Sequence, residues 1–333
     1  MKGQNEMNKQ LDKSDRPQIG ISSCLLGNPV RFDGGHKNNK FIVESLQQHM
    51  NLIAICPEAE AGFGIPRPAI QLRNEDKTAK TQNIRLVVSR DSAQDLTGQM
   101  NRYISSKMPA LSDLDGFIFK KNSPSCGLFR VPVVMGDSGY RSKDGVGLFA
   151  AAFNQRYPLI PVEEEGRLND KVLRENFFER VYAYRRWRLI PDAQENLQEF
   201  YKFHSRHKLM LMARGGSYYQ ELGQMVAGTT IRDLPKRREA YIQRFMQIMS
   251  MTSRRGREVN VLLHIMGYLK KTLNQGDKQE LLSVFEAYRQ NQIPLITPIT
   301  LLRHYLRQYP HTYINQQHYL KPYPEQLALR SFH

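Results

Sequence analysis

The sequence predicts an α/β parallel-sheet, Rossmann-like N-terminal domain followed by an all-α helical domain, and three observations carry that expectation. Up to residue 165, short apolar runs alternate with segments of helical spacing. From Leu168 onward the strand signals stop and helical periodicity takes over. Each of the three cysteines in the chain, Cys24, Cys56 and Cys126, stands just past the end of a strand-like run.

Residues 1–17 are polar and contain no apolar core, which predicts a disordered tail and no secretory leader. Domain one is expected over 18–165. Its strands are predicted at 18–23, 51–55, 84–89, 116–119 and 158–162, short and mostly β-branched as in a sheet buried on both faces. Helices are predicted between them at 38–50, 92–110 and 145–156, and such alternation argues for parallel pairing. Two turn-rich loops, 27–35 and 62–68, are placed to wall the carboxyl edge of that sheet, where ligands bind in folds of this kind.

Domain two is expected over 166–333. Val172, Leu173, Phe177, Val181 and Tyr184 make one apolar stripe. Asp192 is the expected N-cap of the next helix, followed by Leu197, Phe200, Tyr201, His204 and Leu209 at helical spacing. Further helices are predicted at 217–226, 235–251, 257–273, 278–289 and 299–308, and the segment after Tyr309, rich in Tyr and Pro, is expected to wrap over one of the domains.

The net charge of +16 is uneven. Residues 1–165 carry 21 Lys and Arg against 18 Asp and Glu, whereas residues 166–333 carry 27 against 14. That excess points to a polyanion, nucleic acid first, as the partner of the helical half. Arg185, Arg186 and Arg188 flank the single tryptophan, Trp187; Lys236, Arg237 and Arg238 form a second cluster, and Arg254, Arg255 and Arg257 a third. Trp187, on an amphipathic helix, is expected in the core. No run of about 18 apolar residues exists, so no membrane span is predicted. Three cysteines make no disulfide framework, which points to the reducing cytoplasm.

Three thiols on one sheet edge, each beside Pro, Gly or Ser, suggest a metal site of three thiolates. Zinc with an open fourth position and an iron–sulfur cluster missing its fourth thiolate both satisfy that pattern, and the spacing does not choose between them.

Five short motifs then add a resemblance. Ser23-Cys24-Leu25-Leu26-Gly27, Arg31-Phe32-Asp33-Gly34-Gly35-His36-Lys37, Cys56-Pro57-Glu58, Pro66-Arg67-Pro68 and Ser123-Pro124-Ser125-Cys126-Gly127, in this order, resemble the TudS family of thiouracil desulfidases over about 18–162. The helical half resembles a domain often fused to TudS, in proteins known as RudS that are implicated in removing sulfur from 4-thiouridine in tRNA. The resemblance implies a 4Fe–4S cluster held by Cys24, Cys56 and Cys126, whose fourth iron takes the sulfur of the substrate. It also implies tRNA as partner, uridine and hydrosulfide as products, and no net electron transfer.

Such chemistry needs a base for the attacking water. Glu58, two residues past Cys56, is near the metal by chain connectivity and is the expected general base or proton shuttle. Ser123 is the candidate to hold that base or the water. Asp33, Arg67 and Lys121 are candidates to contact the substrate, the two cations through a phosphate or a ring oxygen. Three rivals stand beside this reading: a desulfidase of free thiouracil or thionucleosides, a non-catalytic RNA-binding protein with a structural or sensing cluster, and a three-cysteine zinc hydrolase.

Overall fold

The computed structural model describes residues 16–75, 83–136, 139–191, 196–327 and 329–331. The tail expected over 1–17 lies outside them apart from Arg16 and Pro17, and so does Asp192. The chain divides into two units, Met1–Asn169 and Asp170–His333.

The strand β1 (Gln18–Ser22) organises the first unit. It pairs in parallel with β2 (Asn51–Ile55) and with β6 (Gly116–Phe119), and β6 pairs in parallel with β9 (Val162–Glu164), giving the order β2-β1-β6-β9. Burial dictates this sheet. Ile19, Ile21, Phe117, Ile118 and Phe119 are fully buried. Phe117 and Phe119 stack at 4.0 Å between ring centroids, and Phe153 of helix α3 (Leu148–Arg156) meets Phe117 edge-on at 5.0 Å. A Cβ at Gly20 would lie 2.5 Å from the Phe117 ring, so β1 accepts only glycine at its centre. All four strands run the same way, and their carboxyl ends define a single edge.

A second sheet was not expected. It has the order β5-β4-β3-β7-β8, built from β3 (Ile70–Asn74), β4 (Arg85–Val88), β5 (Asp91–Asp95), β7 (Val131–Met135) and β8 (Arg141–Gly145). Only β3 and β7 pair in parallel; the other ladders are antiparallel. The run 84–89 belongs here rather than to the parallel sheet. The edge strands escaped notice because backbone pairing, not burial, makes them: β5 is exposed throughout, and β8 (Arg-Ser-Lys-Asp-Gly) has no large apolar residue. The helix expected over 92–110 is thereby shortened to α2 (Thr97–Lys107) with a 3-10 turn after it, since β5 takes 91–95. The helix expected over 38–50 is confined to a wide π-type helix, Phe41–Leu46, and the last strand sits at 162–164 instead of 158–162. One short helix, α1 (Pro57–Glu60), follows Cys56 directly.

The second unit is helical: α4 (Lys171–Arg188), α5 (Leu197–Arg214), α6 (Gly216–Val226), α7 (Leu234–Met249), α8 (Arg255–Tyr268), α9 (Gln275–Arg289), α10 (Ile296–Gln308) and the short α11 (Thr312–Asn315). Asp170 caps α4, accepting from the amides of Val172 and Leu173. Asn196 holds the N-cap position of α5, four residues beyond the expected cap. The stripe on α4 is rotated from the expected one: Val172 is exposed, while Phe177, Phe178, Val181 and Trp187 are buried. Trp187 packs against Phe200, Phe203 and Tyr241, as a core residue should. The segment after Tyr309 docks on its own unit. Gln317 donates to the Ser205 carbonyl, Tyr319 to Glu258, and Arg330 to Glu175 and Glu179. Among the described residues no helix is long and apolar enough to cross a membrane.

Candidate active site

The parallel sheet delivers its chemistry to one edge. β1 ends at Ser22, two residues before Cys24; β2 ends at Ile55, immediately before Cys56; β6 ends at Phe119, and the loop after it carries Cys126. All three cysteines are free thiols. Cys24 and Cys126 are buried and Cys56 is half-buried. Each of the two buried thiols lies within electrostatic reach of Cys56, and Cys126 also feels Cys24. Burial pushes Cys24 up to about 11 and Cys126 well above the ordinary thiol range; Cys56 is raised by the same cause. At neutral pH these are thiols, and they become ligands when a metal supplies the compensating charge. Among the described residues no three His, Cys, Asp or Glu side chains are gathered so as to hold a metal ion.

Beside the thiols is a cavity of about 350 Å³, lined by Cys24, Cys126, Glu58, Ser123, Lys120 and Lys121, with Val30, Arg31, Phe32 and Lys37 from the first loop and Arg67 from the second. The Cys56 thiol approaches the carbonyl of Val30, a residue of the cavity wall, at 3.8 Å. Glu58 and Ser123 meet there: the Ser123 hydroxyl donates to Glu58 Oε1 at 3.3 Å. The same hydroxyl oxygen accepts from the amides of Ser125, at 3.2 Å, and Cys126, at 3.0 Å, so Ser123 both shapes the cysteine loop and touches the carboxylate. On the other side of Glu58, Arg67 binds Oε2 through Nε, at 3.1 Å, and through Nη2.

Not every expected substrate contact is placed for that role. Arg67 is 2% exposed in its side chain, and its remaining donors go to the carbonyls of Val30 and Gly64, both at 3.0 Å. It is spent on the protein and holds Glu58. Asp33 is exposed, accepts from the Gly35 amide at 3.0 Å and sits 3.6 Å from Arg31; it is not among the cavity's lining residues. It builds its turn, and the Gly35 amide holds its carboxyl below the usual range. Lys121 is exposed and lines the cavity.

In the helical unit, Lys236 and Arg254 are exposed. The other expected RNA contacts are half-buried. Arg186 donates to the Pro322 carbonyl, Arg237 pairs with Asp233, and Arg238 lies over the Trp187 ring. Arg255 donates to the Tyr288 carbonyl and to Asn291, and Arg257 to the Arg214 carbonyl. Arg185 and Arg188 are engaged as well.

Three residues were missed in the sequence. Ser22 Oγ accepts from the Lys120 amide at 2.9 Å and bonds to the Cys126 thiol. Glu60 accepts from the Cys56 amide at 2.9 Å and is itself held by Tyr103 and Lys107, fixing the start of α1. Lys120 lines the cavity beside Lys121.

Comparison with known proteins agrees with this geometry. Residues 19–165 match the family described as 2-thiouracil desulfurase, and residues 208–324 match a protein family of unknown function, DUF1722. The chain is 30% identical over 129 residues to YbgA of Escherichia coli K12, described as uncharacterized, a match spanning 38% of this chain and 76% of that protein. Among solved structures it is similar to the [4Fe-4S]-dependent thiouracil desulfidase TudS, with 25% identity over 46% of this chain and 95% of that one and a TM-score of 0.36. The chain belongs to the family of YbgA, and within it residues 19–165 match the 2-thiouracil desulfurase model and residues 208–324 the DUF1722 model.

Proposed function

We propose that the protein is a desulfidase that converts 4-thiouridine in tRNA to uridine and hydrosulfide, with a 4Fe–4S cluster held by Cys24, Cys56 and Cys126. The observation that carries this reading is the convergence on one cavity wall of cysteine loops from three parallel strands with a carboxylate, Glu58, pinned between Ser123 and Arg67. The donor set, three cysteines at the ends of three parallel strands, fits a cluster that takes one protein thiolate on each of three irons. Among the described residues the Ser125 hydroxyl, fully buried and adjacent in the chain to Cys126, has no hydrogen-bond partner.

When bound there, such a cluster supplies a soft Lewis acid toward a thiocarbonyl sulfur and makes the ring carbon electrophilic. The chain supplies the rest. Glu58 takes a proton from the water that attacks that carbon, and Ser123 and Arg67 fix one carboxylate oxygen each. The atoms balance: water and C=S become C=O and hydrogen sulfide, with no oxidant or reductant. Lys37, Lys120, Lys121 and Arg31 make the wall cationic, which suits a phosphate-bearing substrate over a neutral free base. A base inside a folded RNA must leave its stack to enter the cavity. The excess of 27 Lys and Arg over 14 Asp and Glu in residues 166–333 supports RNA as the partner of the helical half.

The test is anaerobic incubation of the reconstituted chain with thiolated tRNA and, separately, with free 4-thiouracil, followed by nucleoside analysis. Loss of 4-thiouridine from the tRNA, weakening as salt rises, is the expected result. Turnover of the free base alone moves the substrate to the rival reading, and turnover of neither overturns desulfuration.

A further inference from the structure

Three consecutive glutamates, Glu163, Glu164 and Glu165, close the parallel sheet, and all three are buried. Unpaired, such a run is expensive to bury. Two of them face the loop that carries Cys126. Glu164 Oε1 accepts from the amides of Leu128, at 2.8 Å, and Phe129, at 3.1 Å, just past the cysteine. Glu165 Oε2 accepts from the Lys121 amide at 2.7 Å, just before it, while Oε1 pairs with the Lys120 ammonium. Glu163 instead accepts from the Glu164 amide and pairs with Arg167, whose guanidinium lies 4.7 Å over the Phe129 ring. The loop is thus fastened at both ends by carboxylates that reach it from the neighbouring strand.

We propose that Glu164 and Glu165 form a carboxylate clamp that positions the Cys126 loop as a ligand, and that Glu165 also sets the charge of the site by neutralising Lys120. The inference rests on the cluster reading above for its second half and stands without it for its first. Charge-assisted bonds to backbone amides are stronger than neutral ones, and they fix a loop without occupying its side chains. Cys126 and Ser123 remain directed at the cavity while the backbone around them is held from the side. Lys120 lines that cavity with Cys24, and its charge is partly cancelled by Glu165. The reduction potential of an iron–sulfur site follows its net surrounding charge, so the pair acts on the cluster without touching it.

The clamp is tested first in the metal-free full chain, by amide hydrogen exchange. Glu164→Ala should speed exchange at Leu128 and Phe129 by about tenfold or more, and Glu164→Gln, which keeps an acceptor, by less. Glu163→Gln, an equally buried carboxylate that bonds neither amide, should leave Leu128 at the wild-type rate and serves there as the control for general loosening, Phe129 being set aside because Arg167, the partner of Glu163, lies over its ring. The charge effect is read from the potential of the reconstituted protein. Glu165→Gln removes one negative charge and should shift it positive, while Glu163→Gln shifts it less. Wild-type exchange in Glu164→Ala, or equal effects from Glu163→Gln at Leu128, overturn the clamp. A wild-type chain that takes up no cluster removes the cofactor reading and leaves the exchange experiment to decide the clamp by itself.

Discussion

Each unit holds a cavity walled by charged groups, and the two treat those charges differently. In the helical unit a cavity of about 260 Å³ is lined by Glu175, Glu179, Glu258, Arg214 and Arg330 among others. Its buried charges are directed at one another. Arg214 and Arg330 both bind Glu179, Arg330 also binds Glu175, and tyrosines 319 and 323 donate to Glu258 and Glu175. Burial pushes Glu175 up; it acts on Glu179 too, but the two arginines hold that carboxyl below the usual range. This network ties the C-terminal segment to α4 and α8. In the sheet unit Glu58, Arg67 and Lys120, from the pairs Arg67 with Glu58 and Lys120 with Glu165, line the cavity beside two thiols and Ser123. A closed network supports packing, whereas a pair with a side left open supports chemistry.

Five substitutions sharpen the contrast, the largest effect first. Cys24→Ala, Cys56→Ala and Cys126→Ala should each abolish bound iron and desulfuration, measured by iron content, visible absorbance and turnover. A variant that keeps iron and rate shows that its thiol is not a ligand. Glu179→Ala strands Arg214, leaves Arg330 with Glu175 alone, and should cost about 3–5 kcal/mol in thermal or denaturant unfolding of the helical unit, with the iron content unchanged. A stability loss below about 1 kcal/mol would mean that the network is not structural. Arg67→Ala releases one oxygen of Glu58 and should lower turnover by about a hundredfold at full iron content, the cost of a misplaced reacting group. Loss of iron along with the rate would reassign Arg67 to the fold of the cysteine loops.

The parallel sheet was legible because its strands are short apolar runs, and the cysteines and Glu58 because they follow those runs closely. The antiparallel sheet was not, since β5 and β8 carry polar sequences and owe their conformation to their partners. Arg67 and Asp33 were read as substrate contacts from their motifs. Which way a side chain in a loop turns depends on the hydrogen-bond partners the folded loop offers, here the Glu58 carboxylate that accepts from Arg67 and the Gly35 amide that donates to Asp33. The same limit hid the roles of Glu164 and Glu165, whose partners lie 36 and 44 residues away. The basic clusters of the helical unit were visible as charge, but their engagement with carbonyls and rings required the packed helices.

The measurement closest to the central claim is hydrosulfide release from thiolated tRNA by the wild type and by Glu58→Gln at matched iron and sulfide content. The wild type should release one hydrosulfide per 4-thiouridine lost, and the variant should bind its cluster and fall by about 10²–10⁴-fold, the usual contribution of a general base. Equal rates in the two proteins would contradict the assignment of Glu58, and loss of 4-thiouridine without hydrosulfide would contradict the reaction itself.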